Sequence, residues 1–176
     1  LQALRVQYEI LKPRMLDVEL VATLPPDIPG IARPTHQVIL EMLRADVREV
    51  ILIGYELTDH GTMKLLSDAV SRRADVIMIC DRGRGAANRV IEGWPVGVTY
   101  PRIFHDKERA NGAPYSSMHA KCLLVDGSDL LITSANFTFH GLHGNIEIGV
   151  RLSGSPAAEA RKIFSHLVES GLVTEI

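Results

Sequence analysis

The chain has 176 residues, 46% apolar and 23% charged, enough for one compact domain with its own core and no need of disulfides or a structural metal. A formal net charge of −2 excludes an overall basic surface of the kind that holds nucleic acid without selectivity. The charge is uneven: nine Lys/Arg stand against five Asp/Glu between Arg72 and Lys121, a local +4, with −6 elsewhere, which permits one basic face for a phosphate backbone.

In chain order, residues 1–16 read as an N-terminal extension, and a first strand is expected over Asp17–Leu24, "DVELVATL". A helix follows in "RPTHQVILEMLRAD", with Thr35 as its N-cap and Val38, Leu40 to Leu43 and Val47 supplying an apolar face. Next come the strand "EVILIGYEL" (Glu49–Leu57), a helix in "HGTMKLLSDAVSRRA" with Met63, Leu66 and Val70 at helical spacing, and the strand "DVIMICD" (Asp75–Asp81). A shorter helix in "RGAANRVIEGW" is ended by Gly93 and Pro95, before the strand "VGVTYPRIF" (Val96–Phe104). This first half reads β-α-β-α-β-α-β. A polar loop, "HDKERANGAPYSS" (His105–Ser117), leads to three closely spaced strands, "HAKCLLV", "DLLITSAN" and "NIEIGVRL", too close for helical crossovers and so antiparallel. The last helix, "SPAAEARKIFSHLVES", takes Ser155 as cap, Pro156 at its first position and Gly171 as terminator.

The pattern implies an α/β fold, a mixed β-sheet of about seven strands flanked by helices on both faces, in a single domain spanning residues 1–176. The runs "VILI" and "VIMIC" are too short to span a bilayer, so no membrane partner is expected. Cys80 and Cys122 fall inside predicted strands and suit buried free thiols in a reducing, cytoplasmic setting. The chain begins at Leu1, from which the native N-terminus is expected to be missing.

The chemistry concentrates in "SMHAKCLLVDG". Residues two apart in a strand share a face, so His119 and Lys121 point the same way. If Gly127–Ser128 forms a two-residue hairpin turn, Asp126 pairs with Asp129, Lys121 lies opposite Ser134 and His119 opposite Asn136. Taking Asp126–Gly127 as the central pair also leaves the four polar groups on one face, whereas a slip by one residue separates them. A lone strand histidine is ordinarily a hydrogen-bonded core residue. Four such groups together need a ligand or partners to offset their burial.

"HAKCLLVD", with His119, Lys121 and Asp126, followed by "TSAN" with Ser134 and Asn136, resembles the His-x-Lys-x4-Asp motif of the phospholipase D superfamily and its downstream Gly-Ser-x-Asn element. Glu147 sits where that family places an acidic residue, and the likeness runs from about Val38 to Ser170. Thr133 replaces the family's glycine, and strand alternation is expected to turn it away from the site. The resemblance implies an α/β/α sandwich and phosphodiester cleavage through a covalent phosphohistidine. One copy of the motif is present, as in the small bacterial nucleases of the superfamily, which implies a homodimer acting on DNA or RNA.

In that scheme His119 is the nucleophile, suited to it because histidine, with an unperturbed pKa of about 6.5, is largely neutral at pH 7. Glu147 would accept a hydrogen bond from its other ring nitrogen, as the acidic member of a triad does. Lys121 and Asn136 would hold the phosphate oxygens with help from Ser134, while Asp126, beside the turn, would have a supporting role. Because lysine supplies the cation that many nucleases take from a metal, no metal and no cofactor is expected. Arg82, Arg84, Arg102, Lys107 and Arg109 are candidates for backbone phosphate contacts. His140 and His143 lack a third ligand at a recognised spacing and are expected to line the site entrance. The segment "GRGAANR" lacks the remaining positions of a P-loop or dinucleotide fingerprint.

Two other readings fit the same motif: lipid headgroup hydrolysis, which calls for a membrane-docking surface, and a catalytically silent nucleic-acid-binding subunit. The "LPP" and "RPTH" segments and the short single-motif chain also resemble the phospholipase D-like component of DISARM, a bacterial anti-phage system, which implies other defence-system subunits as partners.

Overall fold

Val50 to Ile53 form an unbroken apolar run, and because successive strand side chains point to opposite faces, that run feeds two cores. Val50 and Leu52 enter one cluster with Val76, Met78, Leu123 and Leu131, while Ile51 and Ile53 enter a second with Ile79, Leu124 and Leu130. The computed structural model describes residues 17–28, 30–44, 46–107 and 117–176. The described strands are β1 (Val18–Thr23), β2 (Arg33–Pro34), β3 (Glu49–Gly54), β4 (Asp75–Cys80), β5 (Arg102–Asp106), β6 (Cys122–Val125), β7 (Asp129–Thr133), β8 (Glu147–Ser153) and β9 (Val173–Glu175). They form one sheet in the order β2-β1-β8-β7-β6-β3-β4-β5-β9.

The helices are α1 (Thr35–Arg44), α2 (His60–Ser71), α3 (Ala86–Gly93), α4 (Phe139–His143) and α5 (Ser155–Glu169). The first four cover one face, burying Val38, Leu43, Leu66, Val90 and Leu142 there. Among the described helices, α5 alone lies on the other, through Ala157 and Phe164. β3, β4 and β5 run parallel through helical crossovers, and β6, β7 and β8 are antiparallel, as the loop lengths require.

The expected α/β layering therefore holds, with nine described strands in place of about seven. β2 and β9, two and three residues long, are too short for any periodicity to register. Element ends move inward by a few residues; β5, for example, starts at Arg102. Thr35 is the first helical residue of α1 rather than its cap, and its Oγ1 is buried without a partner among the described residues. Gly154, at φ 80°, takes the cap position of α5 expected of Ser155, and Pro156 follows in the first turn. Gly171, at φ 68°, ends α5 as expected. No helix among the described residues is long and apolar enough to cross a membrane. Cys80 and Cys122 are buried free thiols, pushed up by desolvation to about 12 and about 11.

Candidate active site

β3, β4, β5 and β7 end, and β6 and β8 begin, along one edge of the sheet. Open α/β sheets hold ligands at such an edge. The turn before it departs from the two-residue expectation. Asp126 and Gly127 take φ 50° and 62°, and Ser128 N–H closes on Val125 O at 3.1 Å, so the turn is centred on Asp126–Gly127. Ser128 is then left out of the ladder, its carbonyl bonded to Gly154 N–H at 3.0 Å, and pairing resumes at Val125 with Asp129. This extra residue shifts the register by one.

Lys121 consequently lies opposite Thr133, whose N–H donates to Lys121 O at 3.1 Å, and not opposite Ser134. Thr133 faces the same side of the sheet as Lys121 rather than turning away, and both are 7% exposed. Its own neighbour across β8 is Gly149, where a Cβ would come within 2.9 Å of Thr133 Cβ and 2.6 Å of Ile132 O. The space a side chain takes at position 133 is thus left free at position 149.

Two groups of contacts form at this edge, one around Lys121 and one around Glu147, and the Glu147 charge reaches Lys121. Lys121 precedes the first residue of β6, and its Nζ donates to His119 O at 2.9 Å and lies 3.4 and 3.5 Å from the two ring nitrogens. Burial pulls the Lys121 pKa below the ordinary lysine value, opposed by the charge of Glu147 and then by Cys122 and Glu56. Tyr55, one residue past β3, sets its ring 4.9 Å from that of His119 and 5.5 Å from Lys121 Nζ. Arg84 Nε donates to the Tyr55 hydroxyl at 2.6 Å, with its guanidinium carbon 5.2 Å from the ring centre.

Ser134 Oγ donates to Glu147 and accepts from Ile148 N–H at 3.1 Å, while Asn145 Nδ2 donates to the other Glu147 oxygen at 3.1 Å. Glu147 is therefore engaged by Ser134 and Asn145, and the expected His119–Glu147 hydrogen bond is replaced by packing of the imidazole against Lys121 and Tyr55. Asn136 lies where the chain after β7 is pinned to the loop after β3: Phe137 N–H donates to Glu56 O, and Phe137 O accepts from Thr58 and Asp59. Asn136 Oδ1 is buried and finds no partner among the described residues. That oxygen is an acceptor, so only a donating group can satisfy it.

Asp126 sits at the far end of β6, its Oδ1 accepting from Arg48 N–H at 2.8 Å and Glu49 N–H at 2.9 Å. It fastens the hairpin to the start of β3. Of the basic candidates, Arg84 is at the site, and Arg82 follows β4 on the same edge, its backbone N–H on Asp106 Oδ1 at 2.8 Å. Lys107 follows β5 there and bonds Leu172 O through its backbone. Arg102 begins β5 at the opposite edge, where two 3.0 Å bonds tie it to Glu175 and it stacks over Phe104. Arg109 lies outside the described residues. His140 and His143 fall on α4, where His143 packs against His36 and Phe139.

Tyr55 and Glu56 escaped the sequence reading because the strand was carried to Leu57. It stops at Gly54, where a Cβ would come within 2.7 Å of the Leu57 side chain, and a glycine at the carboxyl end of a buried strand was the available signal.

The chain resembles known proteins in sequence and in fold. The family model described as "Cardiolipin synthase, PLD-like domain" matches residues 39–168. The DISARM protein DrmC of Bacillus paralicheniformis is 27% identical over 161 residues, which cover 90% of this chain and 66% of that protein. This chain thus spans somewhat under two thirds of that relative's length. Among solved structures, NucT from Helicobacter pylori superposes with a TM-score of 0.71 at 18% identity, covering 92% of this chain and 99% of that one. Nuc from Salmonella typhimurium, a phospholipase D family member, gives 0.66 at 18% identity over 92% and 98%. Phosphatidylserine synthase from Haemophilus influenzae gives 0.66 at 10% identity, over 93% of this chain and 41% of that one.

Proposed function

The chain belongs to the phospholipase D-like family, and on that premise we propose that it is a metal-independent phosphodiesterase, a nuclease that cleaves a DNA or RNA backbone through His119 as a homodimer. The observation that carries this reading is the Lys121 ammonium held between the His119 carbonyl and its ring, a buried cation placed against the nucleophile. A ring nitrogen of His119 attacks phosphorus, forming a P–N bond as the bond to the leaving oxygen breaks. Lys121 Nζ and the Asn136 side-chain N–H donate to the non-bridging oxygens, an arrangement of fixed donors that removes roughly several kcal/mol from such barriers.

The leaving oxygen needs a proton that an attacking histidine cannot give. His119 of a second copy donates it, then takes a proton from water as the water oxygen attacks phosphorus and the P–N bond breaks. The surface we assign to that second copy lies on the other face of the sheet from Lys121 and Glu147, beginning at Ile132 and Ile148 near the same edge. On the face that carries α5, the outer part of β1, β8 and β7 leaves Val18 51%, Leu20 64%, Ile132 42% and Ile148 66% exposed, with no described helix over them. Patches of this kind mark association surfaces.

NucT and Nuc superpose over nearly their whole length, and that likeness supports a phosphodiesterase domain of their type. The resemblance to the DISARM protein DrmC suggests a defence setting with further subunits. The test is hydrolysis of DNA, RNA and phosphatidyl substrates in excess EDTA by native and His119→Ala protein. Nucleic-acid turnover that survives EDTA and vanishes in the variant supports the reading. Turnover restricted to lipid, dependence on added metal, or tight binding of nucleic acid without cleavage overturns it.

A further inference from the structure

The row of side chains that includes Glu147 continues past the site. The β1–β8 ladder sets Thr23 opposite Glu147 and Val21 opposite Gly149, so Thr23 and Glu147 share the sheet face on which Lys121 and Thr133 stand. Beyond Thr23 opens a cavity of about 470 Å³ whose walls include Pro25, Pro26, Ile28, His36 and Phe139. Three rings line up along it: His36 and His143 at 4.7 Å and 39°, then His143 and Phe139 at 5.1 Å and 33°. Phe139 is 65% exposed, an apolar ring held open to solvent at the lip. Thr23, only 3% exposed, has a hydroxyl with no partner among the described residues.

These features call for a flat ligand with apolar faces and a hydrogen-bonding edge. Burial, and then the neighbouring His143, pull the His36 pKa below its ordinary value, which favours a neutral ring for stacking. We propose that the cavity is a base-stacking subsite, which takes one unpaired nucleobase of a single-stranded nucleic acid whose backbone runs across Lys121 and His119. This rests on the phosphodiesterase reading and sharpens its substrate class. β1 lies three strand spacings from β6, about 14 Å. That places the bound base on a nucleotide next to the cleaved linkage rather than at it. A paired base keeps its faces stacked within the duplex and cannot enter. An acyl chain would leave the Thr23 hydroxyl unpaired and gain nothing from stacked imidazoles.

The test measures affinity by fluorescence anisotropy at fixed salt, with a single-stranded oligonucleotide, the same oligonucleotide carrying one abasic site at successive positions, and the duplex. Vesicles of phosphatidylglycerol form a fourth arm. Phe139→Ala should weaken single-strand binding by about 5- to 100-fold, the range of a lost stacked base, and leave duplex binding unchanged. Phe139→Trp should retain affinity, and one abasic position should reproduce the Phe139→Ala loss in the native protein. Thr23→Val, which deletes an unpaired hydroxyl, should lower affinity without lowering thermal stability. Equal losses on single strand and duplex, no loss from Phe139→Ala, or a loss confined to vesicles overturns the subsite. Base-dependent binding without hydrolysis would sink the enzyme reading and leave the subsite standing; hydrolysis indifferent to Phe139 would do the reverse.

Discussion

The Lys121 ammonium sits 2.9 Å from the His119 backbone oxygen and 3.4 Å from Nδ1 of the same residue. One cation thus ties together the backbone and the ring of the residue that stands just ahead of β6. Lys121→Met should lower kcat/KM by about 10²- to 10³-fold, the cost of losing one fixed donor to a developing charge. Since burial lowers its pKa, kcat/KM of the native protein should fall at a pH below the ordinary lysine value of about 10.4. The effect on stability has the opposite sign. The unfolded chain binds the extra proton, so this group's penalty is full below the folded pKa and fades as pH rises toward the unfolded one. Denaturant titrations of native and Lys121→Met protein across that window measure it.

Glu147 acts on that cation through its charge, the largest influence holding the Lys121 pKa up. Glu147→Gln should move the alkaline limb of kcat/KM to still lower pH and reduce the rate about tenfold. A reduced rate with an unmoved limb would assign Glu147 only its bonds to Ser134 and Asn145.

Asp126 carries the third motif position yet sits at the far end of β6, gripping two backbone N–H groups at the start of β3. Asp126→Ala should cost about 2 kcal/mol of stability, read from a shifted denaturation midpoint, because charge-assisted bonds to backbone are lost. Turnover per folded molecule should stay unchanged. Asp126→Asn should cost less, since asparagine keeps an acceptor and tolerates φ 50°.

The exposed apolar face of β1, β8 and β7 predicts its own phenotype. Leu20→Glu with Ile148→Glu, both on exposed positions, should give a folded monomer by sedimentation velocity and abolish hydrolysis. A monomer that retains full activity would remove the second histidine from the mechanism.

Strand identity and crossover order were legible in the sequence because buried parallel strands such as Val50–Ile53 and Val76–Cys80 are continuous apolar runs between capped helices. The hairpin register was not. Its shift comes from Ser128, held out of the ladder by Gly154 N–H, 26 residues further on, and no local pattern encodes that bond. For the same reason Arg102 looked available: its partner Glu175 is 73 residues away on a strand too short to see. The motif marked His119, Lys121, Ser134, Asn136 and Glu147, but Tyr55 comes from the loop after β3 and the ring stack near Thr23 from α1 and α4, which only the tertiary fold brings together.

Whether His119 becomes covalently phosphorylated is the point on which the mechanism turns. Acid-labile, base-stable label should be trapped after mixing the protein in EDTA with an oligonucleotide radiolabelled at the cleaved phosphate, and peptide mass spectrometry should place it on His119. No adduct during active turnover, or an adduct that persists in His119→Ala, would contradict the account.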